Sequence, residues 1–336
     1  MTGAAAGRAR PRPQPAPAPT ATERRGVLGQ RVVFGLAIGI PVVGGAYLGG
    51  PWFLLGTSLL GFLALREYFA LAGRRGAQLV PNLGFALAFA ILLVNGGLEL
   101  LWRGFGPLLG LPALNPDAID LGVRLVVAAA VVLPLTVLLF DRRTVGAAGS
   151  PQGRLAGWAL TLAGTLYVAW LLSQFQTLRL LGGPGSEIGR GWVFYVFAGT
   201  WTYDTGAYLV GSRIGRHRFM TWISPRKTWE GAAGGLVCCL LATLVAASPV
   251  PAPLAALSGW APLPIPLWHV PFLALAVCVA AQLGDLAESM IKRDAGAKDA
   301  SQLIPGHGGV LDRMDSLLFV VLLVYVYAAV VLGLGL

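Results

Sequence analysis

The densest chemistry in the sequence lies between Ser289 and Ser316, in SMIKRDAGAKDASQLIPGHGGVLDRMDS. Cations, acids, a histidine and glycines crowd this stretch, yet only 12% of the chain is charged. Just upstream, AQLGDLAESMIKRD sets Asp285, Glu288, Ser289 and Lys292 at i, i+3, i+4 and i+7, one face of a helix. An i,i+4 pair with Lys292 accounts for Glu288. It does not account for Asp285, which lies about two turns deeper than Lys292, between Leu283 and Leu286. A lone carboxylate there costs about 2–7 kcal/mol or more unless a cation or donor meets it.

Pro305, Gly306, Gly308 and Gly309 preclude a continuous helix and predict a tight loop whose backbone N–H groups suit an anion. It is not a P-loop, because GxxxxGK[ST] is absent. His307 lies within the loop, and Asp312 and Asp315 follow it. A purely structural alternative makes Asp312 an N-cap and Asp315 the acid at N3. In SPRKTWEGAAGG, Ser224 and Pro225 read as N-cap and N1 of a helix. Lys227 then falls at N3, the wrong charge for the helix dipole, and with Arg226 beside it suggests an external phosphate; Thr228 and Glu230 follow. In FAGTWTYDTGAYLVG, Asp204 and Tyr208 share a face, and both substrate contact and an interhelical hydrogen bond are open. Glu67, in ALREYFALA, reads as a structural partner of Arg66 or of another helix.

Asp285, Asp312 and Asp315 offer hard oxygen ligands without sulfur or paired histidines, which suits Mg²⁺. Lysines and a glycine loop add positive potential for a polyphosphate. The chemistry implied is magnesium-dependent phosphoryl or nucleotidyl transfer, which needs positioning and charge neutralisation above all.

The elements that must position these groups are membrane helices. Of 336 residues, 56% are apolar, and the mean hydropathy is +0.70. Soluble domains are about 45–50% apolar and about 25% charged. Residues 1–27, rich in Ala, Pro and Arg, read as a disordered cytoplasmic tail. A spanning helix needs about 20 apolar residues. Nine stretches qualify: 31–49, 51–72, 82–101, 120–140, 156–179, 192–211, 231–248, 267–288 and 315–335. The expected fold is all-α and polytopic, with N-terminal helices over 28–150 and a catalytic region over 151–336. With the N-terminus inside and the C-terminus outside, 21 of the 25 Lys and Arg fall on the cytoplasmic side. That split follows the positive-inside rule. The net charge of +10 is then a topology and lipid-surface signal and excludes nucleic acid as its reason. Cys238, Cys239 and Cys278 lie in apolar runs, with no spacing for zinc or a disulfide. No internal repeat is visible, which weakens a transporter reading.

The Ser289–Ser316 stretch closely resembles the C-terminal signature of the phosphatidate cytidylyltransferases, or CDP-diacylglycerol synthases. The elements S-x-x-K-R, K-D, P-G-H-G-G and D-R-x-D occur in order. QLGDLAES, SPRKTWEG and DTGAYLVG resemble further motifs of that family. The likeness covers roughly 160–330, the earlier residues matching only as apolar helices, and it excludes the tail. It implies attack of the phosphatidic acid phosphate on the α-phosphorus of CTP, giving CDP-diacylglycerol and pyrophosphate. It implies Mg²⁺ at Asp285 and Asp312 with Asp315, K⁺ as a second ion, and catalytic roles for Asp285, Asp312 and Lys292. It ties Ser224, Lys227, Ser289, Lys292, Asp299 and Asp315 to substrate or metal; Thr228, Asp204, Arg293, Lys298, His307, Gly308, Gly309 and Arg313 are further substrate-binding candidates. The setting it implies is a bacterial inner membrane with the site facing the cytoplasm. CTP, phosphatidic acid and membrane lipids are the expected partners; the oligomeric state, a homodimer included, is open. The rival readings are a CTP-dependent polyprenol or dolichol kinase, which would release CDP, and an anionic-lipid transporter, which would not consume CTP.

Overall fold

The computed structural model describes residue 37 and residues 39–140, 153–183, 186–248, 263–304 and 308–335. The tail over 1–27 and His307 lie outside the described residues. The described chain is helical throughout, its bridges limited to isolated pairs at Arg218–Thr228 and Ile304–Gly308. In order the helices are α1 (Gly39–Leu48), α2 (Gly50–Ala72), α3 (Pro81–Phe105), α4 (Pro116–Phe140), α5 (Arg154–Leu180), α6 (Ile188–Ile214), α7 (Trp229–Ala247), α8 (Leu267–Asp294) and α9 (Leu311–Val331).

Proline at the first turn opens α2 and α3, where its missing N–H would have had no partner anyway. Among the described residues, seven helices are long and apolar enough to cross a membrane: α2 to α5 and α7 to α9. The expectation of nine spans is not met by that measure. Helix α6 has the length, at 27 residues, but its Thr, Tyr and Asp content makes it more polar than the rest. Its polar character fits its position, since Trp192, Val193, Tyr195 and Val196 are wholly buried against neighbouring helices. Helix α4 is the opposite case, with Leu125, Val132 and Leu139 exposed. An apolar helix so exposed is suited to lipid.

Helices α6 and α7 pack most extensively, α8 lies on α7 and α9, and α5 packs on α6 and α9. Helix α2 joins the N-terminal helices to this core by touching α5, α8 and α9. Its two ends meet different chemistry. At Gly49–Gly50, Arg179 lies close by, and Arg179 and Arg190 share Glu187. Glu67 lies 17 residues further on, about 25 Å along the helix axis, and there the lysines and aspartates gather.

Candidate active site

The site forms where α8 and α9 approach closely. A Cβ on Gly284 would collide with the backbone of Asp315, so only glycine admits this separation. The next residue, Asp285, is partly open, with 36% of its side chain exposed. Its Oδ2 pairs with Lys227 Nζ at 2.7 Å, and Ser289 Oγ donates to its Oδ1 at 3.3 Å. The cation that a membrane-depth carboxylate demands is therefore supplied by the segment before α7.

That segment differs from the expectation. Helix α7 starts at Trp229, and Thr228 is its N-cap, accepting from Gly231 N at 3.2 Å. Ser224 and Pro225 lie in a turn, with Lys227 N donating to Ser224 O at 3.4 Å. Lys227 thus precedes the helix rather than occupying N3, and its charge answers Asp285. Thr228 is buried, and its hydroxyl oxygen is engaged by the helix it caps.

A second pair lies further along α8. Lys292 Nζ bonds Asp312 Oδ1 at 2.6 Å and also pairs with Glu288. The three side chains are 11%, 7% and 0% exposed respectively. The i,i+4 partnership of Glu288 and Lys292 is as the spacing implied. Asp312 lies in the first turn of α9, after Val310 at the cap position, so it is not the N-cap. Its Oδ2 instead reaches back to Gly309 N at 2.7 Å and Ala300 N at 2.9 Å.

Where the loop between α8 and α9 is described, at its Gly308–Val310 end, its amides turn inward. Gly308 N donates to Ile304 O at 3.1 Å and Gly309 N to Asp312. Val310 N and Leu311 N donate to the two oxygens of Glu67, at 3.1 and 2.8 Å. These four amides donate within the protein. The glycines serve close approach. Gly308 has φ +83°, and a Cβ there would lie 2.7 Å from Asp312 Oδ2. A Cβ on Gly309 would collide with the Glu67 carboxylate. Glu67 is the residue that sequence reasoning undervalued. Its signal was a carboxylate within an apolar helix, and no local pattern names a partner this distant.

The remaining expected residues divide. Asp204 and Asp315 lie within electrostatic reach of Asp285 and of each other. Asp315 Oδ1 also accepts from Ser316 N at 2.7 Å. Arg313 lies within electrostatic reach of Asp204. Arg293 is exposed and donates to the carbonyls of Ile223 and Ala297, tying two loops together. Lys298 and Asp299 are exposed on the loop after α8. Tyr208 is 74% exposed, so its sharing of a face with Asp204 makes no interhelical bond.

Among the described residues, no group of three or more His, Cys, Asp or Glu side chains is placed to hold a metal ion. The donor types still suit Mg²⁺, which takes one or two carboxylates and completes its shell with water and substrate phosphate. Asp312 is the poorer candidate, because three hydrogen bonds from Lys292, Ala300 and Gly309 already engage its oxygens. Asp285, more open and with Asp315 and Asp204 near, is the better one.

The family model described as the cytidylyltransferase family matches residues 29–331. The chain belongs to the cytidylyltransferase family. The match begins far upstream of the motif stretch, so the family includes the helix that carries Glu67. Among curated relatives of this cytidylyltransferase family member, the chain is 34% identical to the chloroplastic phosphatidate cytidylyltransferase 4 of Arabidopsis thaliana over 320 residues, covering 89% of this chain and 72% of the relative. It is 32% identical to the phosphatidate cytidylyltransferase of Brucella suis, covering 90% and 94%. It is 31% identical to that of Synechocystis, covering 89% and 95%.

Proposed function

We propose that this chain transfers the cytidylyl group of CTP to phosphatidic acid, giving CDP-diacylglycerol and pyrophosphate. One observation carries the reading: two lysine–aspartate pairs, Lys227–Asp285 and Lys292–Asp312, gathered from three segments of an apolar helical bundle. The names of the relatives, phosphatidate cytidylyltransferase in each case, agree with it. In the reaction a phosphate oxygen of the lipid forms a bond to the α-phosphorus of CTP. The bond from that phosphorus to the bridging oxygen of the β-phosphate breaks, and pyrophosphate leaves. Such transfer asks little covalent chemistry of the protein. Lys227, at the open carboxylate, faces the triphosphate. Lys292, held between Glu288 and Asp312, fixes the geometry behind it.

Magnesium would be held by Asp285 with Asp315, and it would supply neutralisation of the triphosphate charge. K⁺ is the proposed second ion. We place the site at the cytoplasmic face of a bacterial inner membrane, with α1 and α6 completing nine spans, the N-terminus inside and the C-terminus outside. The support is the charge bias: Lys227, Lys292, Arg293 and Lys298 all lie near the site's end of the bundle. CTP is a cytosolic solute and phosphatidic acid a bilayer lipid, so their reacting atoms meet at that interface.

The test is purified chain in detergent with Mg²⁺, phosphatidic acid and CTP labelled in the cytosine. Label must appear in a lipid product, with pyrophosphate released in equal amount. Release of CDP with unlabelled lipid points to the kinase chemistry instead. Flux into liposomes without CTP consumption points to a transporter.

A further inference from the structure

Two carboxylates close the loop between α8 and α9, and they come from opposite ends of the sequence. Asp312 bridges Ala300 N and Gly309 N. Glu67 bridges the adjacent rungs: its Oε1 accepts from Ser301 Oγ at 2.6 Å and Val310 N at 3.1 Å, and its Oε2 accepts from Leu311 N at 2.8 Å. Glu67 is 4% exposed. Its contact with Val310 joins residues 243 apart in sequence.

We propose that Glu67 is a positioning residue for the cytidylyl transfer, fixing the loop and the first turn of α9 so that Asp312 presents its other oxygen to Lys292. The proposal rests on the activity argued above. The first amides of any helix lack intrahelical partners. Val310, at the cap position of α9, has no side-chain acceptor to offer them. Glu67 supplies that acceptor, and its negative charge suits the positive end of the α9 dipole. By tying Ser301 to Val310 and Leu311, it sets the loop's width. Asp312 spans the same width one residue inward, between Ala300 and Gly309. If the width changes, Asp312 Oδ2 loses one of its two amides and the carboxylate turns away from Lys292. Glutamine cannot substitute cleanly. It has one acceptor oxygen, and its amide NH₂ would face another donor. Gly309 belongs to the same device, because any Cβ there would push on the Glu67 carboxylate.

The experiment compares wild type, Glu67→Gln, Glu67→Asp, Gly309→Ala and the Glu67→Gln/Gly309→Ala double variant. Each is the full chain, monodisperse in detergent, assayed with CTP, phosphatidic acid and Mg²⁺. Turnover is expressed per folded molecule. Glu67→Gln is expected to lower kcat by about 100-fold, the scale of a misplacement near 1 Å. Its KM for CTP should stay within about threefold of wild type, since positioning acts on the transition state. Glu67→Asp should fall between the two. Gly309→Ala should reproduce the kcat loss, and the double variant should lose no more than the worse single one, because both disturb a single contact. A residue that only supports folding would leave kcat per folded molecule unchanged in Glu67→Gln, and one acting independently of Gly309 would give a double variant whose kcat loss is the product of the single losses. Either result overturns the proposal. Should Glu67→Gln fail to fold, Gly309→Ala and Ser301→Ala decide: wild-type kcat in both refutes it. A wild-type chain that makes no CDP-diacylglycerol refutes the activity instead. Hydrogen exchange at Val310 and Leu311 then still judges the contact, which is wrong if Glu67→Gln leaves their protection intact.

Discussion

Replacing Lys292 with methionine isolates the energetics of the buried ion cluster. Lys292 sits between Glu288 and Asp312, and all three side chains are nearly or wholly buried. Removing one partner of a buried pair costs about 3–5 kcal/mol, because a charge remains without compensation. The cost is unequal for the two acids. Asp312 keeps its hydrogen bonds from Ala300 N and Gly309 N. Glu288, wholly buried, has no backbone amide donating to it among the described residues and relies on Lys292 as its cation. The loss in Lys292→Met is therefore mostly the stranded Glu288. At about 2 °C per kcal/mol for a large chain, the melting temperature should fall by about 6–10 °C. Glu288→Gln alone leaves Lys292 paired with Asp312 and should cost less than half as much. The double variant Lys292→Met/Glu288→Gln removes the stranded charge and should regain most of the loss. Activity should be absent from both Lys292 variants. The assay is thermal unfolding in one detergent at one scan rate, alongside turnover. A double variant no more stable than Lys292→Met would refute the reasoning, because the cost would then not come from Glu288.

Other outcomes follow from the same geometry. Asp285→Asn should cut turnover by at least about 100-fold, a large transition-state loss. It should shift the melting temperature by no more than about 2 °C, because the side chain is partly open and a screened pair is worth about 1 kcal/mol. Near-normal turnover, measured with labelled CTP, would remove Asp285 from the reaction. Thr228→Ala should cost about 1 kcal/mol of stability as a lost N-cap while keeping most of the activity. A steep rise in KM for CTP would restore a substrate contact there. Gly284→Ala should lower both stability and turnover, since its Cβ meets the Asp315 backbone; unchanged unfolding would show that α8 and α9 can separate freely. Chelation of Mg²⁺ should stop product formation reversibly, with activity returning on readdition, and product formed at full rate in chelator would exclude the metal.

By itself the sequence determined the membrane class, the positions of the helices and the chemical type of the site. Hydropathy and charge bias are additive over a segment, so helices appear wherever apolar residues run long enough. The spacing of Asp285, Glu288, Ser289 and Lys292 was legible because helical periodicity is local, and the Glu288–Lys292 pair followed from it. Only the tertiary structure decided the partners. Lys227 read as a misplaced charge at a helix start, whereas it lies ahead of α7 and answers Asp285. The glycine loop read as suited to an anion, and only the fold shows that Asp312 and Glu67 take the amides of Gly309, Val310 and Leu311. Glu67 itself looked like an ordinary helical glutamate. Hydrogen-bond demand is a property of a group's surroundings, and a residue 243 positions away enters those surroundings only when the chain has folded.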